Sequence, residues 1–428
     1  MKIQSLYCVP FITLLFSCQT ALANPTELSL TDSIGLAFKN NPVLQIAHAR
    51  QEQSAWSVRE AKSAKGVAVT YTHLDRRSTE PLSWMPSLAA ISPGNYFSNK
   101  LTASLPLYTG GKIENIIKQA DIGLTISQME ITAAKQRLKL ETSMGYYGVL
   151  QSQTLLEVAK QTVDDFTAHL KRVQKMYDTG TVPWHDVLQT KVRLANAENN
   201  LVKAQNSYDL AVYSLNKTIG LPLRSELKLV EPLAYAPYTI TLEEVISFGL
   251  SKRTEILQTN ANVSIQEAQE QVARSEQRPS VALVGSMTWQ DTDFAGTNNR
   301  NWTAMMITEF NVFNSGNTQA KIKQAQAGIT AAKEQVRQVQ DNISLEISDA
   351  FLSLKEAEKR IATNKVAVEE ASVNYTIAQK RYSAGVGTNL DVMDAELAMN
   401  QAKTNYVNSL HDYNASKARL DKAIGANI

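Results

Sequence analysis

Apolar and polar positions alternate in four short stretches of this chain. Val67, Val69 and Tyr71 share one face of the run at 67–74. Phe97, Leu101, Ala103, Leu105 and Leu107 do the same at 97–107, and Leu283, Met287 and Trp289 line one face at 281–290. A fourth run covers 302–313. The period predicts β-strands, and each run is close to the ~9–11 residues that a tilted strand needs to cross a bilayer. The joining segments, 75–96 and 291–301, are rich in Ser, Pro, Gly, Asn, Arg and Asp and predict exposed loops.

Most of the remaining chain predicts helix, and proline sets its limits. None occurs between Pro106 and Pro183, between Pro183 and Pro222, or after Pro279. The tracts 112–177 and 317–382 each hold 66 residues rich in Ala, Gln, Lys, Leu and Ile. As single helices they would run roughly 100 Å, about three times the hydrocarbon thickness of a bilayer. No globular domain buries such a helix, whereas a coiled coil or a barrel of helices does. Each tract ends in a break, at 178–182 and 383–387, and a return helix is expected at 183–218 and 388–424. Gly180 and Gly385 suit the left-handed residue that closes a helix. Thr388 with Asp391 forms a capping pair, while Pro183 holds the matching place in the first break.

Every one of these elements comes twice. Tyr177, Gly180, Asp186, Val187, Tyr208, Leu215 and Gly220 recur as Tyr382, Gly385, Asp391, Val392, Tyr413, Leu420 and Gly425, all at an offset of 205. Gly111, Gln119 and Gly123 match Gly316, Gln324 and Gly328 at the same spacing. The segments that lead into the first helices, 29–44 and 241–256, match at 212, so the first strand pair carries seven extra residues. The chain therefore divides into a first repeat at 24–220, a proline-bearing linker at 221–241 and a second repeat at 242–428. A unit that cannot close its own core must close it against another copy.

Residues 1–23 have the form of a signal peptide: Lys2, an apolar stretch at 9–16, and Ala21, Leu22 and Ala23 as a small-x-small cleavage site. Lipoprotein processing at Cys18 is the competing reading, with Phe16 bulkier than that pattern prefers. Cleavage after Ala23 removes Cys8 and Cys18, the two cysteines of the chain, which excludes disulfides and thiol chemistry. Lys and Arg total 43 against 41 Asp and Glu, a net charge of +2, which argues against a nucleic-acid partner. His48, His73, His169, His185 and His411 show no metal-ligand spacing, so no metal or other cofactor is expected. A phosphate-binding glycine loop, a nucleophile elbow and a paired-acid cleft are all missing from the sequence, which argues against an enzyme. After the leader no run of 18 apolar residues occurs, so membrane residence would rest on strands.

Four strands are too few to close a membrane barrel, and lipid tolerates no open sheet edge. Several chains would have to pool them; three would give twelve strands around a hollow shaft. Two other readings share the long helices. A secreted trimeric coiled-coil stalk or adhesin needs neither paired strands nor turning tips. A soluble periplasmic adaptor would carry a lipoyl-like β-domain, which the sequence does not show.

Three motifs carry a specific resemblance. Tyr-x-x-Gly followed by five residues and Asp-Val stands at both breaks, from Tyr177 and from Tyr382. Leu105, Pro106, Leu107, Tyr108, Gly110 and Gly111 precede the first long tract, and Phe310, Asn311, Val312, Phe313, Ser315 and Gly316 the second. With the duplicated order of elements, the mature chain resembles the TolC family of outer-membrane export channels over nearly its whole length. The resemblance implies a mostly α fold whose long helical hairpins form a trimeric α-barrel in the periplasm. Four strands per chain would join a shared 12-stranded β-barrel in outer-membrane lipid. It further implies a homotrimer giving passive exit to substrates from an inner-membrane pump, bridged by a periplasmic adaptor, in efflux or type I secretion. Cargo and pump class are not legible.

Asp391 and Asp394 lie three apart on one helix face, and by resemblance they form acidic rings at the pore constriction, where carboxylates bind cations. An acid near a helix N-terminus is also favoured by the backbone dipole alone. Asp186 matches Asp391 in the first repeat, and Gln189 stands where Asp394 does. Tyr382 matches a tyrosine that holds the entrance shut, with Asp186 its expected partner; aromatic packing at a hairpin end is the alternative. Gly180, Thr181, Val182, Gly385, Val386 and Gly387 match the adaptor-docking tips, where their other role is to turn the chain. Gly387 replaces an arginine gate residue of the best-known member, which implies a thinner closing network.

Overall fold

The structure, a computed structural model, describes residues 26–77 and 95–425. The expected leader at 1–23, with Cys18 and the Ala23 site, and most of the loop at 75–96 lie outside the described residues.

Two long helices dominate the molecule, α3 (Lys112–Asp178) and α7 (Asn317–Ser383), each of 67 residues. Each turns into a return helix, α4 (Trp184–Ile219) and α8 (Asn389–Ala423). The segment upstream of each strand pair forms two helices rather than one. These are α1 (Leu30–Asn40) and α2 (Pro42–Ser63) in the first repeat, and α5 (Leu242–Lys252) and α6 (Thr254–Ser275) in the second. Capping boxes at Ser29 with Asp32 and at Thr241 with Glu244 start α1 and α5. Toward the tips the helices lie side by side in the order α4, α3, α8, α7; nearer the strands the order is α2, α3, α6, α7.

The four long strands form one antiparallel sheet in the order β2 (Ala68–Arg77), β3 (Asn95–Tyr108), β5 (Ser280–Asp291), β6 (Asn301–Glu309). Its register sets Tyr71 opposite Leu101, Leu101 opposite Met287, and Met287 opposite Trp302. One face thus carries Val69, Tyr71, Leu101, Leu105, Leu283, Met287, Trp302 and Met306. The other carries Thr70, Thr72, Lys100, Thr102, Ser104, Ser286, Thr288 and Thr303, along with Val284, Met305 and Ile307. An apolar face backed by a hydroxyl-rich one is the pattern of a strand set between lipid and a watery lumen.

Three details depart from the sequence reading. The fourth strand stops at Glu309, short of Phe313. Its partner begins at Ser280, directly after Pro279, which has no N–H to extend the ladder. Residues 75–77, 95–96, 291 and 301 belong to strands rather than to loops. The linker contains β4 (Leu227–Leu229), which pairs in parallel with β1 (Thr26–Leu28). Three-residue strands carry too little period to be read from sequence.

Each repeat has its own core where the upstream helices meet the hairpin. Leu138, Tyr146, Val149 and Leu215 pack in the first, and Ile343, Phe351, Leu354 and Leu420, their counterparts at 205, pack in the second. A third cluster joins the two hairpins near their tips: Val173 and Val187 from the first, and Tyr375, Tyr382, Val392 and Met399 from the second.

Candidate functional site: the hairpin tips

Both hairpins turn by the same backbone device. Gly180 and Gly385 have φ of 74° and 75°, a conformation strained for any residue with a Cβ. Thr181 N–H donates to the Met176 carbonyl (2.8 Å), and Val386 N–H to that of Arg381 (3.0 Å), so each long helix closes with a six-to-one bond. From there the tips diverge.

At the first tip, Tyr177 and Trp184 meet in the open with their rings tilted by 53° and centres 5.0 Å apart, and Lys191 lies over the Trp184 ring at 5.3 Å. Pro183 offers α4 no side-chain cap. At the second tip the Thr388 hydroxyl accepts from the Asp391 N–H (3.1 Å), and the Asp391 carboxylate accepts from the Thr388 N–H (2.9 Å). These bonds hold the Asp391 carboxyl below its ordinary range, so it stays anionic.

Tyr382 is buried at 5% exposure, 5.6 Å from the His169 ring of α3. Its hydroxyl has no hydrogen-bond partner, and burial raises its pKa to about 12. The expected Tyr382–Asp186 bond is therefore not made. The hydroxyl lies inside the inter-hairpin core, whereas the Asp186 backbone carbonyl is taken up by Asn389. That residue ties the hairpins together. His169 Nε2–H donates to Asn389 Oδ1 (2.8 Å), and Asn389 Nδ2 donates to the Asp186 carbonyl (3.2 Å) and to Thr190 Oγ1 (3.3 Å). Burial holds the His169 imidazole below its usual range, in its neutral form.

Asp391 and Asp394 are both exposed on α8. Asp394 stands 3.9 Å from the Arg193 guanidinium of α4, an open contact of small energy. Thr181, Gly180, Gly385 and Val386 are exposed, whereas Val182 packs against the inter-hairpin cluster. Gly387 sits so close to the end of α7 that an added Cβ would come within 3.1 Å of the Tyr382 nitrogen. Arg381 instead brings a guanidinium to this tip, 3.4 Å from the Val386 carbonyl.

The sequence reading missed Asn389 and said of His169 only that it lacks metal-ligand spacing. A signal existed. Asn389, Val392, Met393, Glu396 and Met399 repeat every three to four residues along α8, and all are buried. A polar residue on that face calls for a buried partner.

A duplicated unit of paired strands and ~100 Å helical hairpins, with one apolar sheet face, is the pattern of an outer-membrane channel protein. Residues 33–221 and 245–426 match the family described as "Outer membrane efflux protein". The chain belongs to that family, whose members are outer-membrane channel proteins rather than enzymes. The chain is similar to the outer membrane protein TolC of Escherichia coli, 22% identical over 68% of this chain and 62% of that protein, under two thirds of its length. It is also similar to the alkaline protease secretion protein AprF of Pseudomonas aeruginosa, 21% identical over 92% of this chain and 83% of that one. Among solved structures, the outer membrane protein VceC of Vibrio cholerae superposes with a TM-score of 0.77 at 20% identity, covering 92% of this chain and 96% of that chain. The CmeC outer membrane channel of Campylobacter jejuni gives 0.80 at 18% identity, covering 92% and 85%.

Proposed function

We propose that three copies of this chain form one channel-tunnel, through which substrates delivered by an inner-membrane pump and a periplasmic adaptor leave the cell passively. The observation that carries this reading is that both lateral edges of the protomer are unfinished. β2 and β6 are the end strands of the sheet, and among the described residues neither pairs with a further strand on its outer side. In lipid such an edge must be closed. The helices repeat the pattern. On the edge helix α4, Leu188, Val192, Val202 and Leu210 are exposed; on the opposite edge helix α7, Leu345, Leu352, Val366 and Val373 are exposed, these four at multiples of seven. Joining β6 and α7 of one copy to β2 and α4 of the next satisfies both at once. Three copies bring twelve strands, within the ~8–26 of outer-membrane barrels.

In this arrangement the helical barrel crosses the periplasm and the tips form its inner end. Asp391 and Asp394, both exposed at the start of α8, become rings at the constriction, with Asp186 and Tyr382 behind them. The exposed turns around Gly180, Thr181, Gly385 and Val386, flanked by Val182 and Gly387, form the adaptor-docking surface. A secreted coiled-coil stalk explains the helices but leaves the two-faced sheet without a purpose.

Native mass spectrometry of the detergent-solubilised protein tests the assembly: the expected mass is that of three chains, and a lone chain would overturn the reading. In planar bilayers, Asp391→Ala with Asp394→Ala should weaken block by divalent cations about tenfold or more, the loss of a charged ring. Unchanged block would remove these residues from the constriction.

A further inference from the structure

Glu396 lies on α8 where the second hairpin packs against the first, and it is fully buried. Among the described residues neither of its carboxyl oxygens has a hydrogen-bond partner. Groups from each neighbouring helix face it. α7 contributes the Tyr375 hydroxyl, itself buried without a partner, and α3 contributes Asp165 and Arg172. Lys403 follows on α8 itself. The duplication does not demand an acid here: the counterpart of Glu396 at 205 is Lys191, which is exposed. The site is complete within one chain, so assembly can only deepen the burial. A neutral carboxyl tolerates such a place far better than an unpaired carboxylate.

We propose that Glu396 is a proton-operated latch: protonated, it lets the two hairpins pack at their tips, and ionised, it drives them apart and loosens the inner end of the tunnel. The inference rests on reading the packed tips as the closed entrance. Burial, helped by Asp165 and only partly offset by Arg172 and Lys403, pushes the Glu396 carboxyl up to about 8. Once the hairpins separate, water returns it to its ordinary value of 4.5. The packed state therefore holds the proton to higher pH than the open one. Packing is most favoured below 4.5 and weakens as pH rises toward 8, by up to about tenfold per unit. Between pH 7 and 8.5 His169 is already neutral and Asp391 already ionised, so neither mimics the effect.

Two measurements on the full-length protein test the latch. In planar bilayers, wild-type conductance should rise from pH 7 to 8.5, while Glu396→Gln and Glu396→Leu should stay at the low level throughout. Amide hydrogen exchange across 389–400, corrected for the intrinsic rate, should lose protection several-fold over the same range in the wild type and not in Glu396→Gln. A wild type flat in both readouts overturns the latch and leaves the channel reading intact. Exchange that responds through Glu396 in a protein that forms no pore keeps the latch and defeats the channel reading. An alkaline response in Glu396→Gln equal to that of the wild type assigns the effect to another group and ends the proposal.

Discussion

The two hairpin tips share a backbone and differ in what they hide. Tyr177 and Trp184 are 39% and 43% exposed, while their counterparts at 205, Tyr382 and Asn389, are 5% and 3% exposed. The turns, the glycines and the closing bonds are alike. The difference arises because α8 packs inward on α3, whereas α4 lies at the edge of the chain's own helical layer. Inward, an aromatic ring and an amide become the fastener between hairpins. At the edge, the same positions become an aromatic surface for whatever lies alongside. One repeat, placed twice in different surroundings, yields a locked side and a presenting side.

This contrast can be broken most directly at its tyrosines. Tyr382→Ala should destabilise the packed tips by about 3–4 kcal/mol, the cost of emptying a buried aromatic site. Tyr177→Ala should cost under about 1 kcal/mol. Hydrogen exchange of the last turns of α3 and α7 reads both, and equal losses would end the distinction between locked and presenting sides. Next in size is Asn389→Ala, which strands His169 Nε2–H and the Asp186 carbonyl; about 2 kcal/mol is expected. Trp184→Ala, its counterpart, should leave exchange at the inter-hairpin contact within about 0.5 kcal/mol of the wild type.

Thr388→Ala removes a cap that the first tip lacks, and about 1 kcal/mol should be lost from the start of α8 alone. The same cap gives a pH dependence of known sign. Asp391 has a depressed folded pKa, so its contribution is present above 3.8 and fades as pH falls through the lower folded value. Protection at the start of α8, corrected for the intrinsic exchange rate, should fall in acid, and that at the start of α4 should not. The smallest contrast is a control. Gly180→Ala and Gly385→Ala, at equal φ in open space, should each cost about 1 kcal/mol. A clear inequality would mean that the turns themselves differ.

The long helices were legible because proline and glycine mark their ends and nothing inside interrupts them. The strands were legible because one sheet face is apolar over four strands, which preserves the period of two. The capping pair Thr388 and Asp391 was legible because both partners lie within one turn. The Tyr382–Asp186 bond was expected and is not formed, and the Asn389 knot formed unexpectedly. His169 and Asn389 are 220 positions apart, and Asn389 and Asp186 are 203 apart. Those contacts depend on how two hairpins roll against each other, and a small roll exchanges one buried face for another.

By itself, then, the sequence determined the local and the repeated: where helices start and stop, which strand face is apolar, and that the whole is written twice. Those properties follow from torsion preferences and from periods counted along a few turns. Tertiary structure alone decided which copy of each repeated position is buried, and so which tip fastens and which presents. It also decided that Glu396 lies without a partner between helices. Burial is set by neighbours distant along the chain, and identical local patterns acquire different chemistry when one of them is enclosed and the other faces water.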